Sequence, residues 1–491
     1  AFDWNKSSDK IAFIRFDERE VPEFSMDVYK SDLYPNQDVF KYPKAGEKNA
    51  KVSLHIADIN AMAVDEIKLG DYKDFYIPRI KWTEKANMLS VQVMNRHQNN
   101  LDLILVDAST KTPKVVLNEK DEAYIDITDN LTFLEDNSFI WTSEKDGFNH
   151  IYHYKETGEL INQVTKGPWE VTAYYGFDSK SKKVYYQSVE NGNINRDVYA
   201  VSLDGSNKKR LSQKEGTNDA EFSKDFSYYI NIFSNVETPY VFTLHKGDSG
   251  EQVREIKNNQ ELLTKLADYK FIKKEFSTIN INGETLNMWT IKPKNFDSSK
   301  KYPLFMYQYS GPGSQSVKNS WNSSNDYWYM MLADQGYIVA CVDGRGTGFK
   351  GAKFKKSTQN DLGNLEVQDQ LAAAKQLGAL PYIDASRIGI WGWSYGGFMS
   401  SNCLFKGPDT FKMAIAVAPV TSWRFYDTIY TERYLKTPQE NPKGYDDNSP
   451  INFVDGLKGE YLLVHGSADD NVHVQNTMRL IEALVQANKQ F

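Results

Sequence analysis

One heptapeptide constrains the fold of this chain more than any other stretch. Trp391-Gly392-Trp393-Ser394-Tyr395-Gly396-Gly397 fits Gly-x-Ser-x-Gly, with a strand-like run, Ile388-Gly389-Ile390-Trp391, leading in and helical spacing from Phe398 to Phe405 leading out. Strand, sharp turn and helix in that order make a nucleophile elbow, which lifts a serine clear of a sheet edge in a strained backbone conformation. Small neighbours such as Gly392 and Gly396 are what that turn tolerates. Ser394 is therefore the expected nucleophile of an α/β-hydrolase.

The sequence around the elbow supplies the sheet that such a motif needs. At 491 residues the chain exceeds one ordinary core, and residues 258 to 269 change the period to helical, so 1–257 and 258–491 are read as two domains. A hairpin with Asn282-Gly283 at its turn opens the second part. Strands are expected at Tyr302 to Tyr309, Gly336 to Val342, Arg387 to Trp391, Met413 to Ala418 and Glu460 to His465, with helices near 325–335, 364–377, 396–405 and 473–489. This alternation predicts a mostly parallel, doubly wound sheet covered on both faces, and the unbroken apolar run from Tyr337 to Val342 suits such a strand.

Residues 1–257 follow another rule. Short aromatic or β-branched runs alternate with Asp, Asn, Ser, Lys and Gly, and the 30 Tyr, 26 Phe and 10 Trp of the chain suit many short strands. Similar units begin at Ser8, Ala86, Asp136, Ser181 and Asp225. The later spacings are about 45 to 50 residues, the period of four-stranded propeller blades, and the wider first gap leaves room for an insertion. A partial β-propeller is expected; a β-sandwich with coincidental turn spacing is the alternative. Five units would leave edge strands open in a ring, and Ala1-Phe2-Asp3-Trp4 enters in mid-pattern, so further blades are expected upstream of Ala1.

A net charge of -7 with scattered Lys and Arg offers no basic footprint for nucleic acid. Cys341 and Cys403 lie in apolar segments and read as buried thiols rather than a disulfide framework. No stretch is long and apolar enough to cross a bilayer as a helix, and no signal peptide opens the chain.

The chemistry follows from the order of parts in an α/β-hydrolase, serine, then acid, then histidine, each on a loop after a later strand. Asp469, in the polar loop Gly466 to His473, is the expected acid that orients the histidine and stabilises its imidazolium. The seven histidines are His55, His97, His150, His153, His245, His465 and His473. None follows a further strand and helix after Asp469; His465 closes a buried strand and His473 opens a helix. The base is therefore expected beyond Phe491. The Tyr395 N–H is the expected first oxyanion donor, and the second should come from the loop Gln308-Tyr309-Ser310-Gly311-Pro312-Gly313. Asp343-Gly344-Arg345-Gly346-Thr347-Gly348 lacks the ending of a phosphate loop and reads as a structural turn. No metal-ligand triad appears at a recognised spacing, and no cofactor is expected.

Gly-Trp-Ser-Tyr-Gly-Gly at 392 to 397, Asp-Gly-Arg-Gly-Thr-Gly at 343 to 348, Ala-Pro-Val at 418 to 420, Tyr-Thr-Glu-Arg-Tyr at 430 to 434 and His-Gly-Ser-Ala-Asp-Asp-Asn-Val-His at 465 to 473 together resemble the dipeptidyl peptidase IV branch of the prolyl oligopeptidase family. The resemblance implies an exopeptidase that removes Xaa-Pro or Xaa-Ala dipeptides from a free peptide N-terminus. It implies Ser394 as nucleophile, Asp469 as acid and the Tyr309 hydroxyl as second oxyanion donor. It lines the proline pocket with Tyr395, Val420, Trp423, Tyr426, Tyr430 and Val472, and sets Asn471 against the carbonyl of the preceding residue. Aromatic walls suit a flat apolar ring. The glutamate pair with which this family holds the substrate amine is not identifiable, and Asp17-Glu18-Arg19-Glu20 reads as a solvated loop. Few cysteines look more like a bacterial member, for which a periplasmic, cell-surface or secreted place and a homodimer are implied. An endopeptidase or acylaminoacyl peptidase of the same fold, and a non-catalytic propeller scaffold, are the competing readings.

Overall fold

The computed structural model describes residues 1–269, 271–321 and 324–491. Its first half holds five four-stranded antiparallel sheets in series. The recurring sequence units lead into the second strand of each: Lys10–Asp17, Met88–Asn95, Phe139–Ser143, Lys183–Ser188 and Tyr228–Asn235. Turn chemistry explains part of the recurrence. Asp136 accepts the Ser138 N–H at 2.9 Å, Asp178 the Lys180 N–H at 3.0 Å and Asp225 the Ser227 N–H at 3.2 Å, closing the turn that launches the strand. In the first sheet, the long gap holds an antiparallel hairpin, Glu23–Val28 with Asn36–Lys41.

Side chains alternate between neighbouring sheets. Phe139 and Trp141 pack towards the preceding sheet and Ile140 towards the next; Val184 and Tyr186 then face back, and Tyr185 forward. Each inner sheet is therefore apolar on both faces, as strand period two requires of stacked blades. Five sheets in series differ from the two packed sheets of a sandwich.

The second half is a mixed seven-stranded sheet. Its order is Glu275–Ile281, Glu284–Ile291, Ile338–Asp343, Tyr302–Tyr307, Ile383–Trp393, Met413–Val417, Glu460–Val464. The first two form the hairpin, with Asn282 and Gly283 both at positive φ. The five strands from Ile338–Asp343 onward run parallel. One face, with Val339 and Cys341, is covered by the helix Ser324–Asp334; the other, with Ala340 and Val342, by the helices Leu365–Gly378 and Tyr395–Lys406. The strand that precedes His465 departs from expectation. Among the described residues it is the last strand of the order, and Leu462 and Val464 are exposed there rather than buried.

Candidate active site

At the end of the strand Ile383–Trp393 the chain turns through Ser394, with φ 58° and ψ −115°, into the helix Tyr395–Lys406. A serine at positive φ is strained and persists only where its surroundings fix it. Here its N–H donates to the Val417 carbonyl at 2.9 Å, and its carbonyl accepts from the Phe398 N–H at 3.0 Å. A Cβ at Gly392 would stand 2.5 Å from the Gly396 carbonyl oxygen, and one at Gly396 2.6 Å from that of Gln308. Close backbone approach, not an unusual φ, demands both glycines.

Ser394 is partly exposed, between Trp393 at 59% and Tyr395 at 1%. Tyr395 opens the helix, so its N–H belongs to the group that a helix leaves without an internal acceptor. The Tyr309 phenol lies near the Ser394 side chain. Burial pushes its pKa up, and the neighbouring Ser394 side chain opposes that shift. Gln308 fixes this loop to the elbow by donating to the Gly396 carbonyl at 2.8 Å and to Ser400 Oγ at 3.1 Å. The glycine-rich turn after Ile338–Asp343 braces it from behind. The Gly313 N–H donates to the Gly346 carbonyl at 2.8 Å, and the Gly348 N–H to that of Ser314 at 2.9 Å.

The pocket residues implied by the resemblance form one aromatic cluster. Trp423 lies 5.3 Å from Tyr395, 6.0 Å from Tyr426 and 5.8 Å from Tyr430 between ring centroids, and Tyr309 lies 6.1 Å from Tyr395. Val420 and Val472 are buried in the same core. Tyr426 donates to Asn471 Oδ1 at 2.6 Å, so Asn471 stands at the rim of the cluster.

Asp469 lies on the loop after the strand Glu460–Val464, at the same end of the sheet as the elbow, because these strands are parallel. Its Oδ1 accepts the N–H groups of Asn471 at 3.0 Å and Val472 at 2.9 Å. Among the described residues, none of the seven histidines has Ser394 as a hydrogen-bond partner. His465 is held by Thr477 and the Val472 carbonyl, both at 2.6 Å, and its Nε2 stays 3.7 Å from Asp469 Oδ2. His473 is buried and stacks at 3.6 Å on Phe24 of the hairpin, with Tyr42 at 4.3 Å; burial pushes its pKa down to about 4. The others bond within the first half of the chain or, for His97, to Glu440. Glu18 to Glu20 is an exposed turn, and Asp17, which the sequence reads into the same solvated loop, is instead the partly exposed last residue of its strand, paired with Arg19.

Two features escaped the sequence. Glu366, on the helix Leu365–Gly378, is completely buried and accepts the Tyr395 hydroxyl at 2.7 Å. Residues 42–45, after the hairpin, dock beside the aromatic cluster: the Thr428 N–H donates to the Pro43 carbonyl at 3.0 Å and the Ala45 N–H to that of Tyr426 at 2.9 Å. A cavity of about 640 Å³ also opens between the two halves, reaching Pro312 and Gly313 of the Tyr309 loop.

Comparison with known proteins places this geometry. Residues 1–240 match the family model of the dipeptidyl peptidase IV (DPP IV) N-terminal region, and residues 322–491 that of the prolyl oligopeptidase family. The crystal structure of Porphyromonas gingivalis dipeptidyl peptidase 4 superposes with a TM-score of 0.97 at 45% identity, covering 100% of this chain and 69% of that one. The chain belongs to the prolyl oligopeptidase family. Within that family, a dipeptidyl peptidase 4 of Trichophyton equinum is 36% identical over 97% of this chain, and a dipeptidyl-aminopeptidase B of Phaeosphaeria nodorum is 36% identical over 98%. The chain spans 64% and 56% of the lengths of these two prolyl oligopeptidase family relatives.

Proposed function

We propose that this chain is the larger part of a serine exopeptidase that releases Xaa-Pro or Xaa-Ala dipeptides from the free N-terminus of peptides. On this reading residues 1–257 are blades of an incomplete β-propeller, and residues 258–491 an α/β-hydrolase domain on a doubly wound sheet. Ser394 attacks the carbonyl that follows the second residue of the substrate. The Tyr309 hydroxyl and the Tyr395 N–H receive the oxyanion. Asp469 orients a histidine that lies outside residues 1–491, in keeping with the order of the family and with no histidine among the described residues having Ser394 as a hydrogen-bond partner. Proline or alanine enters the cluster of Tyr395, Val420, Trp423, Tyr426, Tyr430 and Val472, and Asn471 meets the preceding carbonyl.

The observation that carries this reading is the strained, partly exposed Ser394 next to Tyr395, whose ring joins the aromatic cluster with Tyr309 and Trp423. An apolar pocket with few polar groups accepts a pyrrolidine ring and strands no hydrogen-bonding partner. A homodimer belongs to the same proposal, supported by the exposed Tyr29, Leu33 and Tyr34 at the hairpin tip, and sedimentation of the complete gene product reads it. The deciding assay is turnover of Gly-Pro anilides by the complete gene product, with free and acetylated N-termini, beside Ser394→Ala. Cleavage of the free substrate alone, lost in the variant, is expected. Equal cleavage of the acetylated substrate would replace the exopeptidase with an endopeptidase or acylaminoacyl peptidase.

A further inference from the structure

Glu366 is the least expected group beside the elbow. It is 0% exposed, on a helix whose Val367, Ala373 and Ala374 belong to the apolar core. A carboxylate removed from water costs several kcal/mol unless donors or a cation compensate. No cation forms an ion pair with it among the described residues, and burial pushes its pKa up to about 7. Its compensation is two hydrogen bonds. Oε1 accepts the Tyr395 hydroxyl at 2.7 Å, and Oε2 accepts the Gly363 N–H at 3.0 Å.

Tyr395 is the residue through which this contact reaches the chemistry. Its backbone N–H opens the elbow helix beside Ser394, and its ring packs on Trp423 and Phe398 at 5.3 and 5.4 Å. Anchoring the phenol at the far end of the ring fixes both the ring plane and the first turn of the helix. Gly363 locks the other side of the carboxylate, since it sits at φ 89° and a Cβ there would meet Phe398 Cζ at 2.5 Å. Glu366, Gly363, Phe398 and Tyr395 thus form one packed unit under the elbow. We infer that Glu366 is a positioning residue, holding Tyr395 so that its N–H aims at the oxyanion while its ring forms the pocket wall. This inference rests on the catalytic reading of Ser394 given above.

The ionised carboxylate serves both donors. Protonation leaves a neutral acid, so the charge-assisted bond from the Tyr395 hydroxyl is weakened or reversed in direction. The groups acting on Glu366 are the Tyr395 phenol and Lys406 from the elbow helix, Asp361 from the preceding loop and Arg345 from the glycine-rich turn; Cys403, also on that helix, feels its charge. Turnover should accordingly fall as pH drops through about 7, an inflection owed to Glu366 in addition to that of the base.

The test is a double-mutant cycle in the complete gene product, reading kcat and KM on Gly-Pro anilide between about pH 5 and 9. Glu366→Leu should lower kcat about tenfold or more with KM changed less than about threefold, because alignment of an oxyanion donor matters in the transition state. Glu366→Gln keeps an acceptor for Tyr395 but carries no charge, as the protonated acid does, so it should hold kcat near the low-pH level of the parent, above that of Glu366→Leu, and remove the inflection near neutrality. In a Tyr395→Phe background, Glu366→Leu should cost little more. Full kcat with an unchanged pH profile in Glu366→Leu, or additive losses in the double variant, would overturn the inference. Should Glu366→Leu not fold, the Glu366→Gln profile decides alone: retention of the inflection overturns it. Ser394→Ala run alongside separates the two levels. An active Ser394→Ala refutes the catalytic reading, whereas an inactive one beside a fully active Glu366→Leu refutes only the role of Glu366.

Discussion

Replacing Tyr309 with phenylalanine isolates one hydroxyl from the rest of the site. The ring packs against the core and lies 6.1 Å from Tyr395, so phenylalanine keeps the packing and loses only the oxygen near Ser394. Deleting one oxyanion donor costs roughly 10²- to 10³-fold in kcat, about 2.7–4 kcal/mol. The lower end applies here for two reasons. The Tyr395 N–H remains, and Ser394 is partly exposed, so water can take the vacated place without stranding a buried polar group. Tyr309→Phe in the complete gene product should therefore lower kcat about 100-fold on a Gly-Pro anilide, with KM within about threefold, since the oxyanion exists only along the reaction path. Steady-state kinetics reads both. A variant that keeps more than about a third of kcat, or one that raises KM alone, would refute the assignment of this hydroxyl to the transition state.

Gly396→Ala should abolish turnover, because its Cβ would sit 2.6 Å from the Gln308 carbonyl, a backbone atom that cannot give way without moving the Tyr309 loop. Asp469→Asn should lower kcat by about 10⁴ by favouring the wrong tautomer of the base, with circular dichroism unchanged. His473, neutral inside its aromatic clamp, predicts an acid-sensitive fold. Its pKa lies below the ordinary 6.5, at about 4, so the unfolded chain binds more protons in that window. Its contribution to stability is complete above pH 6.5 and is lost as pH falls towards 4, at a slope of up to about 1.4 kcal/mol per pH unit. Urea midpoints measured across that range should show the slope, and His473→Phe, which keeps the stack, should flatten it.

The features legible in the sequence are those written as period and spacing. Strand runs such as Ile388 to Trp391 and the turn residues Asn282-Gly283 announce themselves because backbone geometry restricts what can stand there. The hairpin Glu23–Lys41 showed only as excess length between two units. Glu366, Asp369 and Gln370 lay hidden for a different reason: a polar residue in a helix reads as solvent-facing, yet all three are completely buried, because their partners come from the elbow, the glycine-rich turn and the strand before that turn.

The central claim is that Ser394 attacks the carbonyl after the second residue of a peptide with a free amino terminus. Mass spectrometry of the complete gene product treated with a Val-Pro diphenyl phosphonate tests this directly, since the reagent needs an activated serine, a proline pocket and an amine site together. A single adduct on Ser394, absent in Ser394→Ala and with the N-acetylated reagent, is the predicted result. Modification elsewhere, or equal labelling by the acetylated reagent, would contradict it.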